Sequence, residues 1–339
     1  MEQNNKKPNK FLSFFKKYPV IISFTLIVPT VVSFVSVMTH MEEYYYNYMY
    51  GGEFLDIRDE TFELTGIKKV SNVTQLSSNF SYQGAACYQN YYCVCCDAFE
   101  NILIYDTTSM KLVDTVNTGI NEKTWHCNQI FFGKDFYSSS DKYPLLYVSM
   151  EHIDVHSIMV FRLMKLGDSY YAKQVQELIL EFSKEEDTIY FPNAYYDYDE
   201  ELIYYGGYTK NSYMKEEDNK LKYYIFQIPD FRLESYFFET ADSEGTFELP
   251  SETATQGGFI SNSHLYQTFS FGSKTDPLKT PKMRIVDLKE KKIIKDYQNL
   301  GEQFGVYEEF EHVAINNDGK MYSLGNPFNI YEFEYKAEQ

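Results

Sequence analysis

Short β-like runs that restart at a few widely spaced polar points constrain this chain more than any other feature. Residues 82–116 read YQGAACYQNYYCVCCDAFENILIYDTTSMKLVDTV. Residues 91–95 form an aromatic and β-branched run, 97–101 are polar enough to turn, 102–105 alternate again, 106–110 turn, and 112–116 close the unit. Comparable units open at Trp125-His126-Cys127-Asn128, at Phe191-Pro192-Asn193, at Gln256-Gly257-Gly258 and at Glu309-Phe310-Glu311-His312. Starts taken at Gln83, His126, Asn193, Gln256 and Glu309 lie 43, 67, 63 and 53 residues apart. A loose internal period of this kind is read before any single motif, because it governs the whole architecture.

The phrase Ile104-Tyr105-Asp106, a polar turn, then Lys111-Leu112-Val113 resembles the third strand, turn and fourth strand of WD-repeat and YVTN-type blades. That resemblance to the β-propeller superfamily implies an all-β fold. We expect a single β-propeller of five blades, with six or seven as the alternative counts. The spacings exceed a bare WD-type period, so blades two to four should carry inserted loops. The last unit offers three strands before Gln339, and FELTGIKKV at 62–70 is the candidate for the strand that closes the ring. The one short stretch with a helical pattern after residue 40 is 174–186.

Composition agrees with sheet: 33 Tyr and 27 Phe in 339 residues suit pleated surfaces, where rings cover cross-strand neighbours. The N-terminal part is a separate object. Lys6, Lys7, Lys10, Lys16 and Lys17 precede an uncharged run at 18–38, long enough to cross a bilayer as a helix. The expected organisation is a cytoplasmic basic tail (1–17), an uncleaved signal anchor (18–38), an acidic, Tyr-rich stalk (39–60) and a propeller domain (61–339) outside the membrane. Beyond residue 40 the net charge is −22, which excludes nucleic acid as a natural partner. Cys87, Cys93, Cys95, Cys96 and Cys127 do not match a zinc knuckle. They read as small strand-core residues, with Cys93 and Cys95 on one face and Cys96 on the other, or with a disulfide from Cys87 or Cys127 to one of that group.

In a propeller the innermost strands line an axial channel, which would bring the polar starts together at one mouth. The candidate ligand-binding residues are therefore Gln83, His126, Asn128, Asn193, Gln256, Glu309, Glu311 and His312. The plainer alternative is that these groups hydrogen-bond neighbouring blades. No cofactor is implied; His126, Glu311 and His312 are the best metal trio, while His152 and His156, with Glu151 and Asp154, read as solvated loop. The starts Gln83-Gly84 and Gln256-Gly257, with Glu309-Phe310-Glu311, are similar to the five-bladed glutaminyl-peptide cyclotransferases, although His312 stands where that resemblance implies a small residue. There is no phosphate loop, no Gly-x-Ser-x-Gly elbow and no His-Glu-x-x-His. The expected function is a membrane-anchored binding or interaction module with an unidentified ligand or protein partner; the alternative is an enzyme acting on peptide N-termini or glycans at the mouth.

Overall fold

A strand buried on both faces carries apolar residues at every position, and YYCVCC is such a run. The computed structural model describes residues 58–74, 81–120, 126–151, 156–326 and 328–338. After β1 (Arg58–Asn72), strands β2 (Tyr82–Tyr88), β3 (Tyr91–Cys96), β4 (Asn101–Asp106) and β5 (Lys111–Asn117) form an antiparallel meander. The pattern returns in β6 (His126–Phe132), β7 (Leu146–Glu151), β8 (His156–Leu166) and β9 (Ser169–Glu181). It returns again in β10 (Tyr190–Asp197), β11 (Leu202–Tyr208) and β12 (Lys220–Gln227); an insertion carrying β13 (Ser235–Glu239) precedes the unit's outer strand, β14 (Gly245–Pro250). β15 (Thr255–Ser261), β16 (His264–Phe269), β17 (Lys282–Asp287) and β18 (Lys292–Tyr297) follow. The last meander is β19 (Glu309–Ile315), β20 (Met321–Asn326) and β21 (Asn329–Glu338), completed by β1.

β1 runs antiparallel to β21, with Leu64 opposite Tyr335, Ile67 opposite Phe333 and Lys69 opposite Tyr331. The closing strand read from 62–70 is therefore in place. Each start named from sequence lies in the first strand of one unit, and those strands neighbour one another in a circuit: β2 beside β6, β6 beside β10, β10 beside β15, β15 beside β19, and β19 beside β2.

The core is distributed between units. In β3 the side chains alternate: Cys93 and Cys95 join a cluster with Cys127, Ile130 and Val148 of the next unit, while Tyr92, Val94 and Cys96 join one with Tyr322, Leu324 and Ile330 of the last. Further clusters bridge the second unit to the third, the third to the fourth and the fourth to the fifth. Period-two alternation thus feeds two interfaces from every middle strand. Tyrosine suits the gaps between splayed sheets, being flat and wide with a hydroxyl that reaches a partner. Tyr223 donates to Gln267 Oε1 (3.0 Å) and Gln267 Nε2 donates to the Tyr195 hydroxyl (2.8 Å), all of them buried.

One expectation is corrected. Residues 174–186 are not helical: up to Glu181 they belong to β9, where Gln176, Leu178 and Leu180 are buried at strand spacing. A 3-10 turn, Glu185–Asp187, follows. The edge of β9 is covered in parallel by β13, a pairing between distant segments. The run at 18–38 and most of the segment at 39–60 lie outside the described residues. Among the described residues no helix is long and apolar enough to cross a membrane.

Candidate functional site

All the innermost strands break register near their beginnings: between Tyr82 and Ala85, Cys127 and Gln129, Tyr190 and Asn193, Thr255 and Gly258, and Phe310 and His312. A bulge bends its strand and re-aims the extra residue. The residues at these breaks are Gln83-Gly84, Asn128, Phe191-Pro192, Gln256-Gly257 and Glu311, which is why polar residues and glycines recur there. Glycine is required sterically in the fourth unit: a Cβ on Gly258 would lie 2.0 Å from the Tyr266 carbonyl oxygen.

The polar side chains at the mouth largely bond from unit to unit. Asn128 Nδ2 donates to the Pro192 carbonyl (3.3 Å), Asn193 Nδ2 to the Gln256 carbonyl (3.2 Å), and Gln256 Nε2 to Glu309 Oε1 (2.8 Å). Asn326 Nδ2 donates to Glu309 Oε2 at 3.2 Å. Gln83 Nε2 donates to Ser81 Oγ (3.2 Å), whose hydroxyl in turn donates to Asp97 Oδ2 (3.3 Å). Asn128, Asn193, Gln256 and Glu309 thus bond to a neighbouring unit, and Asp97 and Asn326 join these contacts although the sequence did not single them out.

Some buried polar atoms here have no partner, among them both ring nitrogens of His312, Ser270 Oγ and two acceptors, one on Glu311 and one on Asn193. Glu311 is 2% exposed and its Oε1 has no hydrogen-bond partner; Asn193 is 3% exposed and its Oδ1 has none. Burial pushes the Glu311 carboxyl well above the usual carboxylate range; the charge on Glu309 adds to this, the Asn326 amide partly offsets it, and Asp97 adds again. Glu309 is also raised by burial, eased by hydrogen bonds from Asn326 and Gln256. Burial thus favours the neutral form of each carboxyl, or a donor brought to it.

Just past the register breaks, one inner strand is tied to another. Gln129, buried in β6, reaches across to β15, where its Nε2 donates to the Gly258 carbonyl (2.6 Å) and its Oε1 accepts from Gly258 N (3.3 Å). Gln129 and Gly258 also border a small, largely apolar cavity of about 40 Å³, with Ala85, Ile130, Phe131, Ile260 and Ala314. Beside Gln256 and Glu309 stands an aromatic shelf. Phe191 meets Tyr213 edge-on at 5.4 Å and Tyr213 meets Phe271 at 5.5 Å; Tyr213 and Phe271 are exposed. Phe191, Ala254 and Ser270, which border it, hold φ of 52°, 47° and 91°. A bulky residue at positive φ is strained, and such strain gathers at functional sites.

Three sequence candidates are placed differently. His126 opens β6 with an exposed side chain. His312 is fully buried, 5.8 Å from the Tyr92 ring, its imidazole pushed down to about 3 by burial. Among the described residues no three His, Cys, Asp or Glu side chains group to hold a metal ion, so the trio of His126, Glu311 and His312 is not assembled. His156 is not solvated; it opens β8, half-buried against the Phe182 ring at 6.0 Å, while His152 lies outside the described residues.

No family model and no curated protein matches the chain. Among solved structures it is similar to Myxococcus xanthus glutaminyl cyclase, with 10% identity, a TM-score of 0.44, and coverage of 82% of this chain and 98% of that one. It is also similar to a glucose dehydrogenase, with 8% identity, a TM-score of 0.46, and coverage of 80% and 99%. Likeness at this level carries no activity across. What identifies the fold is the circuit of antiparallel meanders, with a core between each unit and the next and the first strand completing the last sheet: the described residues form a β-propeller.

Proposed function

We propose that the chain is a five-bladed propeller, held at a membrane by residues 18–38 and displayed on its outer side, whose channel mouth binds a ligand rich in hydrogen-bond donors. The five inner strands with their matching bulges support the blade count; the lysine cluster before an uncharged run supports the anchor. One observation carries the function: a carboxylate oxygen of Glu311, buried and unpartnered, stands beside Glu309 at the floor of a strained, aromatic-edged mouth. An unpaired buried acceptor costs stability, and a ligand N–H or O–H would remove that cost. The shelf of Tyr213 and Phe271 suits a flat apolar face, such as a sugar ring or a peptide side chain.

The test is calorimetry on residues 41–339 with peptides bearing N-terminal Gln, wall-derived glycans and divalent cations. One of the peptides or glycans should bind, and Glu311→Gln should weaken it by roughly tenfold to a hundredfold, the value of a hydrogen bond to a charged group. Equal affinity in wild type and variant would remove the mouth from the account. The enzyme reading draws on the same carboxyl, since burial raises its proton affinity and a buried acid of that kind can donate a proton in catalysis. Turnover abolished by Glu309→Gln or Glu311→Gln would establish that alternative over simple binding.

A further inference from the structure

We propose that Cys95 and Cys127 form a disulfide that pins the first blade to the second directly beneath the mouth. Their Sγ atoms lie 2.8 Å apart, both side chains are fully buried, and both are free thiols here. The approach is fixed by backbone: Cys127 N donates to the Asp97 carbonyl at 3.0 Å, joining β6 to the turn just after β3. Alternation along β3 also selects the partner, since Cys93 and Cys95 face the second blade and Cys96 faces the last.

The chemistry needs an oxidant, and a small disulfide such as oxidised glutathione supplies it. One cysteine thiolate attacks the oxidant's S–S bond and expels a thiolate; the second attacks the resulting mixed disulfide and expels the other. Cys95 and Cys127 together lose two protons and two electrons, and the oxidant leaves as two thiols. Burial raises the Cys127 thiol well above its ordinary range, so exchange in the folded domain waits on local opening. Once formed, the bond would fix Asp97 and Asn128, each within two residues of a bonded cysteine, in the mouth.

The purified full-length chain is held overnight with excess oxidised glutathione, denatured in N-ethylmaleimide, and mapped by peptide mass. One cross-linked pair containing Cys95 and Cys127 is expected, with Cys87, Cys93 and Cys96 alkylated. Oxidised protein should melt roughly 5 °C or more above the reduced form, a difference absent in Cys127→Ser. Alkylation of all five cysteines, or a cross-link between any other pair, overturns the proposal without recourse to a variant. A Cys95–Cys127 bond that leaves the melting temperature unmoved overturns its role as a pin. Neither readout depends on what the mouth binds.

Discussion

Replacing Glu252 with Ala should cost the domain about 3–5 kcal/mol, the penalty for leaving buried cations without their counter-charge. Glu252 is fully buried in the connection from β14 to β15, and its Oε2 accepts from Lys282 Nζ at 2.6 Å. Its Oε1 bonds Lys215, and Arg284 Nη2 lies 3.9 Å away. Lys215 is half-exposed and contributes little, but Lys282 is 3% and Arg284 2% exposed. Arg284 keeps Asp296 and the Pro250 carbonyl, whereas Lys282 has no second acceptor among its hydrogen bonds. Burial pushes the Glu252 carboxyl up, yet hydrogen bonds and charge from Lys215 and Lys282 outweigh it and hold the group below its usual range. An acid so depressed releases its proton more readily when folded. Its contribution is therefore complete above the unfolded value near ~4.3 and is lost as pH falls through the lower folded value. Urea unfolding of the variant at pH 7 checks this; a cost under about 1 kcal/mol would mean the cluster is solvated.

Phe62→Ala should cost about 3–5 kcal/mol, the range for emptying a fully buried phenylalanine site. Phe62 is on β1, the strand furthest in sequence from the sheet it completes. Its side chain is fully buried, 5.0 Å from the Tyr335 ring and 5.5 Å from the Tyr266 ring of the preceding unit. The cavity would open between the β15–β18 sheet and the sheet that β1 completes. Calorimetric melting should stay a single transition at a lower temperature. Exposed Glu63, on the same strand, serves as the control, and its change to Ala should fall within about 0.5 kcal/mol. If Phe62→Ala matched that control, β1 would be an accessory strand and not the closure.

The architecture was legible because strands buried on both faces leave dense apolar runs, and because bulges recruit polar residues and glycine at recurring places. The starts at Gln83, His126, Asn193, Gln256 and Glu309 and the closing run at 62–70 were visible for that reason. β13 was not, since parallel addition to a distant edge leaves no local pattern. β9 resembled a helix because Gln174, Glu177 and Glu181 also fit a 3.6 period, and only burial at Gln176, Leu178 and Leu180 decides for strand. Glu311 was singled out by type and place, and the structure buries it at a register break; His312 was carried along by adjacency, and its ring lies against Tyr92. Asp97 passed as a turn residue. Tyr213 and Phe271, exposed aromatics inside polar loops, were a readable signal that the sequence reading passed over.

The most direct measurement is the melting temperature of Glu311→Gln against wild type from pH 4 to pH 8. In the folded domain the Glu311 carboxyl holds its proton more tightly than in the unfolded chain, so wild-type stability falls as pH rises from near ~4.3 through the raised folded value. Glutamine has no such proton to lose, and its NH₂ group can donate to Glu309. The two proteins should converge near pH 4, and the variant should melt about 2–4 °C higher at pH 8, for a gain of about 1 kcal/mol. A variant that melts lower than wild type at pH 8 would mean the carboxylate is already satisfied by the fold, and the mouth would lose its claim to be a binding site.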